Sequence, residues 1–306
     1  MIKTHVVVGA GPVGRALAHR LAASGDAVTV VTRSGSGPDH PGITKVKADI
    51  ASPDALLGAA PAAAAIYNCA NPKYHRWPTD WPPMASSLLA YAERTGGVLV
   101  TCSNLYGYGP HAGALTPDLP LAATGVKGQI RAGMWLEAKA LHDAGRIRVT
   151  EVRGSDYVMP SDQSRLGDRV VPRLLAGKGV QMVGGLDQAH TWTSPADVAA
   201  LMAVLGQDER GWGRAWHVPS NALRTQREAI DDLADAAGVP RVKVSRLPDL
   251  ALRGLGLFMP LIGELAETMY QFDAPFILDD SLTRQTFGLE PTPWSAMLAA
   301  QVAAYR

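Results

Sequence analysis

Val6-Val7-Val8-Gly9-Ala10-Gly11-Pro12-Val13-Gly14 is the stretch that decides the fold. Three consecutive valines mark a short strand buried on both faces. Glycines at 9, 11 and 14 follow at once, in the order G-x-G-x-x-G. A helix then runs from Val13 to Ala23 and stops at Gly25, a C-terminal cap. Each glycine has a physical reason. Gly9 permits the tight turn, Gly11 lets a pyrophosphate approach the backbone, and Gly14 lets helix and strand pack closely. The free N–H groups and positive end of the helix would hold the phosphates. Gly9, Gly11, Pro12, Val13 and Gly14 are therefore the first candidate dinucleotide-binding residues. The competing reading is a glycine turn in a nucleotide-free scaffold.

Working outward, the pattern alternates. Strands are expected at Ala27–Thr32, Thr44–Ala48, Ala64–Cys69, Val98–Thr101 and Arg148–Val152. Helices are expected at Met84–Arg94 and Gly125–Asp143. Short turns between βα units predict an α/β fold, a Rossmann doubly wound parallel sheet. Ser194-Pro195 opens a helix to Leu205, Trp216–Val218 is another strand, and Thr225-Gln226-Arg227-Glu228 is a capping box opening a helix to Ala237. The rest is rich in Pro, Gly and aromatics and is assigned to a smaller C-terminal substrate lobe. The dinucleotide-binding domain is expected over 1–154 plus about 190–238, and the lobe over about 155–189 plus 239–306.

Composition narrows the classes. The 306 residues are 47% hydrophobic and 19% charged, which suits a compact protein. Lys+Arg is 29 against 28 Asp+Glu, so the charge gives no general pull toward nucleic acid or a membrane surface. Two cysteines, Cys69 and Cys102, exclude a disulfide scaffold. The first apolar run is too short for a signal segment, and no stretch suits a membrane span, so the expected location is the cytoplasm. The apolar stretch Leu250–Ile262 is broken by Arg253, glycines and Pro260 and reads as a lobe helix or pocket lining. The eight histidines form no ligand spacing, so no metal is expected. No G-x-S-x-G elbow is present.

The end of the second strand selects the ribose. A site for NAD carries Asp or Glu there to accept from the 2′-hydroxyl. Here the strand ends in Arg33-Ser34, which suits a 2′-phosphate and favours NADP, with NAD as the other option. Asp49, after the third strand, is placed to accept from the adenine amine or to cap the next helix.

With these residues in view, the chain resembles the extended or atypical short-chain dehydrogenase/reductase superfamily, in particular its NAD-dependent epimerase/dehydratase family. The glycine loop, Asp49-Ile50, Asn68-Cys69-Ala70-Asn71-Pro72 and Thr101-Cys102-Ser103-Asn104-Leu105-Tyr106-Gly107 carry the likeness. Glu151-Val152-Arg153-Gly154-Ser155-Asp156-Tyr157 and Trp192-Thr193-Ser194-Pro195-Ala196-Asp197 continue it, so it covers nearly the whole chain. The resemblance implies a substrate site between Rossmann domain and lobe, adds Ala70 to the cofactor-binding set, and allows a homodimer.

One departure matters. The family's Tyr-x-x-x-Lys opens the helix after the fifth strand. Aligning Lys127 with the lysine puts Ala123 where the tyrosine belongs. Lys127 is then expected on the nicotinamide ribose, with Arg131 one turn on and read as a surface arginine. Ser103 is expected to orient a substrate carbonyl. Tyr106 is the expected substitute proton donor, ahead of Tyr157. The aromatic loop Tyr74–Pro83 is expected to wall the site. Cys69 and Cys102 read as small buried thiols. The reading is an NADP-dependent oxidoreductase, or an epimerase/dehydratase using bound cofactor transiently, acting on a small organic substrate. The alternative is a non-catalytic NAD(P)-binding sensor or regulatory protein.

Overall fold

A computed structural model describes residues 2–248 and 267–306. The stretch Leu250–Ile262 lies outside the described residues. The central sheet is built from β1 (Thr4–Val8), β2 (Ala27–Thr32), β3 (Ile43–Lys47), β4 (Ala65–Asn68), β5 (Val98–Asn104), β6 (Arg148–Gly154) and β10 (Ala215–His217). All seven pair in parallel, in the order β10-β6-β5-β4-β1-β2-β3. The order reverses between β1 and β4, and ligands of such sheets bind outside the carboxyl ends of the strands at that reversal.

The valine run explains why both faces are covered. Val6, Val7 and Val8 are fully buried. Val7 packs with Leu17 and Leu21 of α1 (Pro12–Ala23) and Val198 and Met202 of α6 (Pro195–Leu205). Val6 and Val8 pack on the opposite face with Leu56 of α2 (Pro53–Ala59), Leu88 of α3 (Trp77–Thr95) and Ala138 of α4 (Val126–Asp143). Each such valine contributes roughly 1.5–3 kcal/mol by leaving water.

The expected strands and helices fall within a few residues of the observed ones, with one exception. The aromatic segment is not a loop. Tyr74–Arg76 form a short 3-10 turn, and α3 starts at Trp77, seven residues before the expected start at Met84. Pro78 sits in the first turn, where its missing N–H costs nothing. Trp77 and Trp81, one turn apart, are both fully buried and hold the proline-containing start in place.

A second core lies around α5 (Val171–Leu175), β8 (Val180–Met182), α7 (Gln226–Ala237), β11 (Val244–Arg246) and α10 (Trp294–Ala303). Here α7, placed by sequence in the first domain, packs Ala229, Ile230 and Leu233 against Leu174 and Val180. Its Thr225–Glu228 capping box is formed as the sequence indicates. Between β6 and this core run β7 (Asp156–Tyr157) and β9 (Trp192–Thr193), paired in parallel. Two further helices, α8 (Tyr270–Asp273) and α9 (Ser281–Phe287), complete the described chain.

Candidate functional site

A cavity of about 910 Å³ opens at the carboxyl ends of the strands. Its floor is the glycine turn. Gly9 has φ 95°, a left-handed conformation, and a Cβ there would lie 2.8 Å from the Ala70 backbone nitrogen. A Cβ on Gly14 would overlap the Gly9 carbonyl oxygen. Gly11 differs. It caps α1 with extended backbone and no side-chain cap, and a Cβ there would meet nothing within 4 Å. Open space at Gly11, between a twelve-residue helix N-terminus and the sheet edge, fits a pyrophosphate.

The wall of the cavity gathers the residues that sequence singled out. Pro12, Val13, Arg33, Ser34, Asp49, Ala70, Ser103 and Tyr106 all line it. Arg33 and Ser34 are exposed at the exit of β2. Asp49 accepts from the Ala51 backbone N–H at 3.0 Å, while Ser52 caps α2, so the two capping duties are split. Ser103 is 4% exposed, and among the described residues its hydroxyl has no hydrogen-bond partner. A buried hydroxyl without a partner costs free energy and is a natural place for a ligand oxygen.

Lys127 lies elsewhere. It is buried but lines neither this cavity nor its neighbour. Its ammonium meets Glu267 Oε2 at 3.1 Å, and its backbone N–H donates to Glu267 Oε1 at 2.7 Å. The cause is the helix start. α4 begins at Val126 with Gly125 as its cap, so Ala123 lies before the helix, its N–H donating to Gly107. Ala123 and Lys127 are not one helical turn apart. The residues that are, at the opening of α4, are Lys127 and Arg131.

Arg131, read from sequence as a surface residue, is the buried cation of the cavity. It is 6% exposed and stacks over the rings of Trp77 and Trp81, at 4.6 and 4.4 Å from their centroids. One nitrogen reaches Asn71 Oδ1 at 3.4 Å, and Nε and Nη1 have no partner among the described residues. Burial pushes its pKa down, and among the described residues no acidic side chain is bonded to it. The signal was in the sequence: Trp77 and Trp81 one turn apart make a face for a guanidinium.

The tyrosines are engaged. Tyr106 and Tyr74 share a hydrogen bond of 3.0 Å, and Tyr157 lies 3.4 Å from Cys102 Sγ. Burial pushes Tyr106 and Tyr157 well above the ordinary tyrosine range. Cys69 and Cys102, read from sequence as buried thiols, are half-buried and line the cavity; their surroundings nonetheless raise both thiols, so neither is a ready nucleophile. A smaller cavity of about 330 Å³ adjoins the first and shares Asn71, Tyr74, Tyr106, Asp156, Gln163 and Gln271 with it. Behind the wall, Glu151, Arg153, Tyr108 and His217 form a buried network that sequence reading missed. Arg153 bonds Glu151 and Tyr108, both at 2.6 Å, and Tyr108 meets His217 Nε2 at 2.8 Å.

Among the described residues, no cluster of three or more His, Cys, Asp or Glu side chains could hold a metal ion, and no helix is long and apolar enough to cross a membrane. Residues 5–218 match the model of the NAD dependent epimerase/dehydratase family. No curated protein matches the sequence. Solved structures share the fold. The Bordetella bronchiseptica enzyme WbmH in complex with NAD+ is 21% identical, with TM-score 0.75, covering 100% of this chain and 99% of that one. The dTDP-glucose 4,6-dehydratase of Bacillus anthracis, also with NAD, is 18% identical, with TM-score 0.77 and coverage of 99% and 96%. The UDP-glucose 4-epimerase of Thermotoga maritima, solved with UDP-glucose, is 15% identical, with TM-score 0.80 and coverage of 99% and 98%.

Proposed function

The chain belongs to the NAD dependent epimerase/dehydratase family of enzymes, and from that premise we propose a nicotinamide-dependent oxidoreductase or epimerase/dehydratase acting on a small organic molecule. The observation that carries this is one continuous cavity. It runs from the glycine turn and Arg33 to Ser103, Arg131 and Asp156. Phosphates fit at Gly11, the adenine end at Asp49, and the reacting end beside β5 and β6.

The cofactor supplies hydride exchange when bound. The chain's own residues do the rest. Arg131, one turn into α4, takes the ribose-binding part first given to Lys127, because it reaches the cavity and Lys127 does not. Its unpaired N–H groups suit ribose hydroxyls or a substrate oxygen. Ser103 donates to the substrate oxygen, gaining the partner it lacks. Tyr106, paired with Tyr74 and raised by burial, walls the substrate space. It is a poor acid there. The adjoining cavity suits the remainder of the substrate, its wall mixing Arg165 and Arg169 with Met182 and Val183.

The family is described by NAD, and two of the similar structures hold it. For this chain we propose a preference for the 2′-phosphorylated form, carried by Arg33 and by the lack of a carboxylate at the exit of β2. Fluorescence titration with NADPH and NADH tests it. Tighter NADPH binding, lost or inverted in Arg33→Asp, is the expected result. Equal affinities in the unmodified protein would overturn the Arg33 assignment.

A further inference from the structure

Three buried histidines differ in what faces their ring nitrogens. His5 meets Asp26 through Nε2 at 3.1 Å, and its Nδ1 has no partner among the described residues. His217 meets the Asp279 carbonyl through Nδ1 and the Tyr108 hydroxyl through Nε2. A hydroxyl can donate, so a neutral imidazole satisfies both contacts.

His190 has no such choice. Its Nδ1 lies 3.2 Å from the Gln271 carbonyl oxygen, and its Nε2 lies 3.0 Å from Asp156 Oδ2. A carbonyl only accepts, and so does an ionised carboxylate. Either both ring nitrogens carry protons, or Asp156 carries one. In each case the pair holds one proton more than a neutral imidazole and a carboxylate would. The ring is 1% exposed and stacks on Phe272 at 4.3 Å, so water cannot relieve the demand.

The carboxyl side faces the site. Asp156 sits just past the end of β6, lines both cavities, and keeps 24% of its side-chain surface exposed. The charged group beside it is Arg165, 3.9 Å away, and the titratable groups around it among the described residues are Tyr74, Tyr106 and Tyr270. Phe272, Phe276 and Trp192 enclose the ring of His190. Burial raises the Asp156 carboxyl, but His190 and Arg165 outweigh that and hold it below the usual carboxylate range.

We propose that Asp156 and His190 together hold one proton at the cavity wall and exchange it with a substrate oxygen, the part played in the resembled family by the tyrosine this chain lacks. The proposal rests on the enzymatic reading above. When a substrate carbonyl carbon accepts hydride from a reduced nicotinamide, the C=O π pair moves to oxygen. That oxygen takes a proton from Asp156, which takes the Nε2 proton of His190. His190 is left neutral with Nδ1–H on the Gln271 carbonyl, and solvent water restores the proton. In the oxidative direction the same atoms move in reverse.

Nitrogen-15 histidine NMR of the ligand-free protein tests this, with His190→Gln used to assign the signal. At neutral pH the acceptors facing both ring nitrogens require the pair to carry its extra proton. His190 should show two ring protons, or one ring proton beside a protonated Asp156 carboxyl. The Nε2 proton should exchange with water faster than the Nδ1 proton, because the Asp156 carboxyl keeps 24% of its surface exposed whereas Gln271 is 3% exposed. Asp156→Asn should leave His190 with one ring proton, on Nδ1. A singly protonated His190 beside an ionised Asp156 in the unmodified protein overturns the proposal, as does Nε2 exchange no faster than Nδ1. Dinucleotide titration of the same sample reports separately on the enzymatic reading.

Discussion

At the scale of single residues, Arg131 opposes stability to function. A buried guanidinium without a carboxylate partner costs free energy that an apolar side chain of similar length does not. Arg131→Met should therefore raise the melting temperature of the ligand-free protein while weakening dinucleotide binding about tenfold or more, as thermal unfolding and fluorescence titration on one preparation would show. His217 sets a pH dependence. Burial, chiefly, holds its pKa down to about 3 in the folded chain, against about 6.5 unfolded. The folded state binds fewer protons, so the stability from keeping His217 neutral is present above about pH 6.5. It is lost as pH falls from there toward about 3, by up to about 1.4 kcal/mol per unit. Denaturant midpoints for the parent and His217→Gln should show a shallower acid slope in the variant. The two thiols make a third case. Both are half-buried at the cavity wall with their thiols pushed up, so alkylation of Cys69 and Cys102 near pH 7.5 should be slow until denaturant is added, and rapid modification in the folded state would contradict the raised thiols.

At the scale of elements, the sequence announces what local chemistry controls. Thr225 caps α7, accepting from the Glu228 N–H at 3.1 Å, while Glu228 accepts from the Thr225 N–H at 2.8 Å. Thr225→Ala should lower stability by about 1 kcal/mol in chemical denaturation, with no change in dinucleotide affinity. Valine runs, glycine stops and Ser-Pro starts were legible because each acts within a few residues. The start of α3 was not, because Pro78, Pro82 and Pro83 read locally as helix breakers and only the burial of Trp77 and Trp81 overrides them. The start of α4 was legible to within a residue, but not which of its cations faces the cavity. Resemblance set Lys127 on the family's lysine, whereas Lys127 turns to Glu267 and Arg131, one turn on, lines the cavity. Asp156 and His190 are 34 residues apart, and the pairing of β7 with β9, with the bridges of His190 to Arg224 and Phe276, brings them together.

For the whole molecule, the central claim is that the glycine turn and the strand ends form one dinucleotide site. That the glycine turn, Arg33, Asp49, Ala70 and Ser103 line one cavity was legible at this scale, since a doubly wound sheet fixes which ends converge. Binding should stabilise the folded chain by mass action, by about 2.7 kcal/mol at a hundredfold excess over Kd. Gly11→Val isolates the claim. Gly11 has φ −70° in extended backbone and open space where a Cβ would go, so valine fits without strain. Its side chain would fill the place of the pyrophosphate. The decisive measurement is calorimetric titration of NADPH and NADH into the parent protein and Gly11→Val, with melting temperatures in parallel. The account predicts that the parent binds and that the variant folds equally well but binds at least a hundredfold more weakly. Equal binding by both proteins, or none by the parent, would contradict it.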